Sequence, residues 1–102
     1  MAELMKNIEK SKVLTLKDEI SYADGQVVSK TLVQNDAVSE TLFAFEKGEE
    51  ISTHESGGDA FVSCLDGVDY ELKEGQSIVM PAKHPHAVKG KERFKMLLVV
   101  VF

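Results

Sequence analysis

The sequence predicts an all-β fold: a small barrel or sandwich of short antiparallel strands, preceded by an N-terminal arm. Three observations predict it. From Gln26 onward, β-branched and aromatic residues alternate with polar ones at a period of two. The alternating runs are short and are separated by turns rich in Gly, Pro, Asn and Asp, at the spacing of sandwiches and barrels. No helical period of useful length follows residue 22.

The chain of 102 residues is one domain by length, read as an arm over residues 1–22 and a barrel over residues 23–102. Its 43% apolar and 28% charged residues are ordinary for a soluble globular protein. The net charge of −5 argues against a nucleic-acid groove, which needs a basic face. The basic cluster Lys89, Lys91, Arg93 and Lys95 is broken by Glu92 and reads as a solvated strand edge. The charged start MAELMKNIEK carries no apolar run of signal-peptide length. The longest apolar run, Met96 to Phe102, is too short to span a bilayer. A single cysteine, Cys64, excludes an internal disulfide, so a cytoplasmic protein is expected, with no membrane partner.

In order, residues 1–12 form a loose arm or a short helical turn. Thr15, followed by Lys17, Asp18 and Glu19, reads as a helix start with a capping hydroxyl. Asp24-Gly25 then turns the chain into Val27–Gln34, the first strand. Asn35-Asp36-Ala37 is a hairpin turn. Val38–Phe45 returns with Thr41, Phe43 and Phe45 on one face and Glu40, Leu42 and Ala44 on the other. Further strands are expected over Ile51–Glu55, Ala60–Leu65, Val68–Leu72, Ser77–Met80, His86–Lys89 and Phe94–Phe102.

The last strand is apolar on both faces, with Phe94, Met96, Leu98 and Val100 on one and Leu97, Val99 and Val101 on the other. Something must cover the second face. A homodimer is the expected cover, and the N-terminal arm is the alternative. Cys64 shares the alternation of Ala60 and Val62 and should face inward as a small apolar residue. Phe61 is read as mostly core. Asp59, after Gly57-Gly58, reads as a turn residue bonding its own backbone.

Two segments carry the chemistry. Gly48, His54 and Gly67 fit the spacing G-x5-H-x-H-x3-E-x6-G, with Ser56 at the second histidine and Ala60 at the glutamate. Gly75, Pro81 and His86 fit G-x5-P-x-G-x2-H-x3-N, with Lys83 at the internal glycine and Gly90 at the asparagine. The segments resemble the two motifs of the cupin family. That resemblance implies a double-stranded β-helix, or jelly-roll, barrel with a trimmed hairpin between Gly67 and Gly75. It also implies a metal site of three histidines and one carboxylate, holding iron, manganese, zinc or nickel. Here only His54 and His86 remain at those positions, short of the three protein ligands that a catalytic divalent site usually has. His84 is a candidate third ligand because residues two apart share a strand face, although Pro85 lies between. Glu55 and Asp59 are candidate carboxylates, yet neighbours of an inward His54 should point away from it.

The expected function is binding of a small molecule without a complete metal site. The expected pocket comprises His54, Ser56, Ala60, Val62, His86, Phe43, Phe45, Met80 and Met96. A divalent-metal enzyme of dioxygenase or isomerase type is the alternative, and a non-catalytic scaffold or interaction module is a second one. Two facing histidines can be inert, can orient a ligand, or can act as a base, since imidazole titrates near neutrality.

Overall fold

The computed structural model describes residues 4–55, 57–67, 72–83, 85–89 and 92–102, and for 51–55 and 85–89 the backbone alone. Among the described residues, a 3-10 turn, Leu16–Glu19, precedes seven strands. These are β1 (Val27–Gln34), β2 (Val38–Phe45), β3 (Glu50–Glu55), β4 (Asp59–Gly67), β5 (Ser77–Met80), β6 (Pro85–Lys89) and β7 (Phe94–Val101). The antiparallel order β1-β2-β7-β4-β5 makes one sheet, and β3 pairs with β6 in a second. The expected strand over Val68–Leu72 lies mostly outside the described residues.

Local chemistry explains the turns. Asn35 closes the β1–β2 hairpin by accepting at Oδ1 from the amides of Ala37 (2.8 Å) and Val38 (3.0 Å). At the end of β4 the register with β7 slips between Cys64 and Asp66. Gly67 there takes φ +76°, and a Cβ would sit 2.2 Å from the Arg93 carbonyl oxygen. Only glycine permits that approach. Thr15 departs from expectation: its side chain makes no capping bond, and its carbonyl instead accepts from Asp18 N at 3.0 Å. A single 3-10 turn leaves too little helix for a hydroxyl cap to close.

The five-stranded sheet is apolar on both faces. On one, Phe45, Val62, Cys64, Leu72, Phe94 and Met96 form a buried cluster. Phe45 and Phe94 stack at 4.5 Å between ring centroids. On the other face Leu42, Ala44, Leu32, Val33 and Ile20 are buried, with Ile8, Leu16, Tyr22, Leu65 and Leu97 against them. Ile8, Leu16, Ile20 and Tyr22 belong to the arm, so the arm covers the Leu97 level of that face. Lys6 N and Asn7 Nδ2 donate to the carbonyls of Leu32 and Thr31, both at 2.8 Å, tying the arm along β1. Phe61 is not core but 43% exposed, because its neighbours Ala60 and Val62 take the inward positions of β4.

The expected basic strand edge does not hold at Arg93 and Lys95, whereas Lys91 and the Lys89 side chain lie outside the described residues. Lys95 is on β7, a central strand paired on both sides, Arg93 just precedes it, and both are engaged. Arg93 forks onto Glu46 at 3.0 and 2.9 Å, holding that carboxyl below its ordinary range. Arg93 and Lys95 lie over the Tyr22 ring, 4.6 and 5.0 Å from its centroid. Tyr22 in turn donates to Asp66 Oδ2 at 2.8 Å. Burial, then that hydrogen bond, pushes the Tyr22 phenol well above its usual range. No helix among the described residues is long and apolar enough to cross a membrane.

The Tyr22 bond fastens the arm to the β4 bulge. Tyr22→Phe should cost about 1 kcal/mol at neutral pH, the usual net worth of such a bond. Because the folded phenol ionises above the unfolded one, the wild type keeps this contribution below about pH 10 and loses it as pH rises further. Denaturant titrations of both proteins should therefore differ at pH 7 and converge in alkali; a gap that stays constant would contradict this account.

Candidate functional site

The backbone of β3 and β6 sets the site. Glu50 pairs with Lys89 and Ile51 with Val88, then the register slips, and His54 pairs with His86 and Glu55 with Pro85. Continued without the slip, the ladder would set His54 opposite Pro85. One extra residue on β3, between Ile51 and His54, thus brings the two histidines into direct opposition. Such bulges commonly re-aim residues at binding sites. Directly opposite positions of an antiparallel ladder share one face, with Cβ atoms about 5 Å apart.

The connections fix where this pair sits. Residues 56–58 lead from β3 to β4, and residues 81–84 from β5 to β6. Ala60 and Met80, the inward residues just beyond those connections, are themselves cross-strand partners. The His54–His86 end of the small ladder is therefore joined, through two short links, to the Ala60–Met80 end of the large sheet. The arm lies on the other face of that sheet, so the complete burial of Phe45, Phe94 and Met96 requires a second layer, which these links allow β3 and β6 to supply.

Of the pocket residues expected from the sequence, Phe43, Phe45, Val62, Met80 and Met96 come together in one inner cluster. Within it Phe45 and Met96 are fully buried, toward the end closed by Phe94, whereas Phe43, Met80, Ile78 and Leu98 remain partly accessible. Ala60 and Val62 are almost completely buried. Ser56, His84 and the side chains of His54, Glu55 and His86 lie outside the described residues. A surface cleft of about 270 Å³ lies elsewhere, between the 3-10 turn and the β4–β5 connection, lined by Leu16, Lys17, Cys64, Leu65 and Glu74 among others.

Two features around the histidines escape sequence reasoning. Asp59 does not bond its own turn; its Oδ1 accepts from Ala82 N at 2.7 Å, across 23 residues. The start of β4 thereby holds the connection that leads into His86. Next to it Lys83 adopts φ +63°, the left-handed conformation favoured by glycine. Its place in the second motif is that of the glycine in the family pattern, the residue type that most readily takes this conformation. The motif spacing is the signal that could have revealed it. No local sequence pattern announces the Asp59–Ala82 bond.

The donor set does not fit a four-ligand metal cage. At the carboxylate position stands Ala60, a methyl group only 2% exposed, which offers no ligand atom. The Asp59 carboxylate is engaged by the Ala82 amide. Among the described residues, which exclude the three histidine side chains, no three of His, Cys, Asp and Glu cluster to hold an ion.

Comparison with known proteins places this architecture. The chain matches no protein-family model and no curated protein. Among solved structures it is similar to a conserved protein of unknown function from Streptococcus pyogenes, with 44% identity over 98% of this chain and 95% of the other, at a TM-score of 0.94. It is similar to a cupin superfamily protein from Desulfitobacterium hafniense, with 33% identity over 96% and 97% of the two chains, at a TM-score of 0.88. A cupin 2 conserved barrel domain protein from Leptotrichia buccalis shares 39% identity over 87% of this chain but 47% of its own, at a TM-score of 0.83.

The strained Lys83 gives a direct check on the histidine-bearing connection. Lys83→Gly removes the left-handed penalty at some cost in unfolded-chain entropy, so stability should hold or rise by up to about 0.5 kcal/mol. Lys83→Val, β-branched, should lose at least about 1 kcal/mol there. Equal midpoints for the two variants in urea would show that the connection does not require this conformation.

Proposed function

This chain belongs to the cupin superfamily, and from that premise we propose that it binds a small organic molecule beside His54 and His86 without a complete metal site. The observation that carries the reading is the bulged register that makes those two residues cross-strand partners. A bulge is costly in ladder hydrogen bonds, and here its consequence is to oppose two polar, proton-exchanging residues. The partly accessible Phe43, Ile78, Met80 and Leu98 supply apolar wall for the body of a ligand. The histidine pair would take its polar end by hydrogen bonding. The buried methyl of Ala60 supports the absence of the usual carboxylate ligand. The lone cysteine supports a reducing, cytoplasmic setting.

Two measurements test the reading together. Metal analysis of protein prepared without chelator or a metal-affinity tag should give well below one iron, manganese, zinc or nickel per chain. A thermal-shift screen of small organic acids, sugars and aromatic metabolites should find a stabilising ligand, worth about 2.7 kcal/mol at a hundredfold excess over Kd. His54→Ala and His86→Ala should each abolish that shift while remaining folded. Stoichiometric metal that disappears in His54→Ala would instead establish the metal-dependent alternative. Absence of both metal and ligand would leave the barrel a scaffold.

A further inference from the structure

One aromatic near the histidine end belongs to neither buried cluster. Phe102 follows β7, and its amide donates to the carbonyl of Ala37 at 3.0 Å, which pins the backbone there. The alternation of β7 places Phe102 with Phe94, Met96 and Leu98, the residues of the inner face. Phe94 and Met96 are fully buried, yet Phe102 is 59% exposed. Its ring rests against Gly58. A Cβ on Gly58 would lie 3.0 Å from Phe102 Cδ1 and 2.5 Å from the Val101 carbonyl oxygen. Any larger residue at 58 would therefore meet both the ring and the β7 backbone.

The ring stands beside the candidate site. Val101 pairs with Asp59, whose carboxylate accepts from Ala82 N at 2.7 Å. The connection from β3 and the connection from β5 thus meet at Asp59, directly across from the end of β7. His54 and Gly58 are four residues apart, so at most about 14 Å separates their Cα atoms. Met80, the cross-strand partner of Ala60, lies on the same inner face and remains partly accessible.

We propose that Phe102 is a specificity-determining residue of this site, stacking its exposed ring on a flat aromatic ligand whose polar end meets the histidine pair. The inference rests on the reading of that pair given above and adds the ligand's class, a planar aromatic acid. A ring fixed by its own backbone bond and backed by Gly58 loses little freedom when a second ring stacks on it. Stacked aromatic pairs are favourable beyond the area they bury. The Met80 thioether adds a partner that also favours aromatic rings over saturated ones.

Calorimetric titration of the full chain with naphthoate and with its fully saturated counterpart, decahydronaphthoate, tests this. Both carry the same carboxylate, and the saturated acid is the more apolar, so burial alone would favour it. The wild type should nevertheless bind naphthoate about 5-fold more tightly, the usual worth of one aromatic stack. Phe102→Leu should bring the two acids within about 2-fold, whereas Phe102→Tyr, which keeps a ring, should retain the preference. Circular dichroism and thermal midpoint verify that the variants fold. Equal binding of the two acids by the wild type, or a preference that survives in Phe102→Leu, overturns the inference. If His54→Ala still abolishes binding in that case, the reading of the histidine pair stands without it. Binding that survives unchanged in His54→Ala overturns both. Failure of the wild type to bind either acid overturns the inference, and the broader ligand screen then decides the reading of the pair by itself.

Discussion

The structure depends on one constraint: the central strands β2, β7 and β4 are apolar on both faces. A sheet of this kind cannot stand as one layer, because each face exposes more hydrocarbon than a small domain can leave wet. The inner face carries Phe45, Phe94, Met96, Val62 and Cys64, and the outer face Leu42, Ala44, Leu65 and Leu97. The burial of the first calls for a second layer, and the second is covered by the arm at Leu42, Ala44 and Leu97. The electrostatic contacts follow from this division of labour. Tyr22, Asp66, Arg93 and Glu46 meet where the arm crosses the end of the sheet, and they fix its position after hydrophobic burial has placed it.

The same constraint explains why the fold was legible. Period-two alternation identified β1, β2, β4, β5 and β7, because at each strand burial on one face is decided residue by residue. Motif spacing supplied the closure, since Gly48, Gly67 and Gly75 all occupy left-handed positions that other residues rarely take. The outer covering was harder to read. The doubly apolar β7 required a cover, yet alternation in one strand does not say which segment of the chain provides it. Arm residues Ile8, Leu16 and Ile20 are too sparse for a helical or strand period, and they act as isolated anchors. Phe61 was misplaced for a related reason: a large aromatic suggests core, whereas its parity between Ala60 and Val62 assigns it outward.

The site was legible only in part. His54 and His86 could be found as residues from the spacing of two glycines, a proline and a histidine in each motif. Their direct opposition could not, because it depends on a one-residue bulge between Ile51 and His54 that Ser52 and Thr53 do not signal. Nor could the bond from Asp59 to Ala82, which joins residues far apart in the chain and leaves no local pattern. Lys83 shows the converse, a left-handed conformation that its position in the motif spacing suggests and its residue type does not.

These observations bear on how a binding site can outlast a metal cage. A metal imposes ligand count and distance, so losing one carboxylate to Ala60 removes the ion's geometry outright. The surrounding backbone is held by other forces: the register slip in β3, the Asp59 cap on the β5–β6 connection and the left-handed Lys83. None of them draws on a bound ion for its stability. Each still constrains the positions of His54 and His86, as a preorganised hydrogen-bonding pair requires. A scaffold that had lost all use for the pair would be free to lose a costly bulge and a strained lysine. Their occurrence together, one on β3 and one in the connection leading into β6, is the physical argument for proposing a binding site at this end of the barrel.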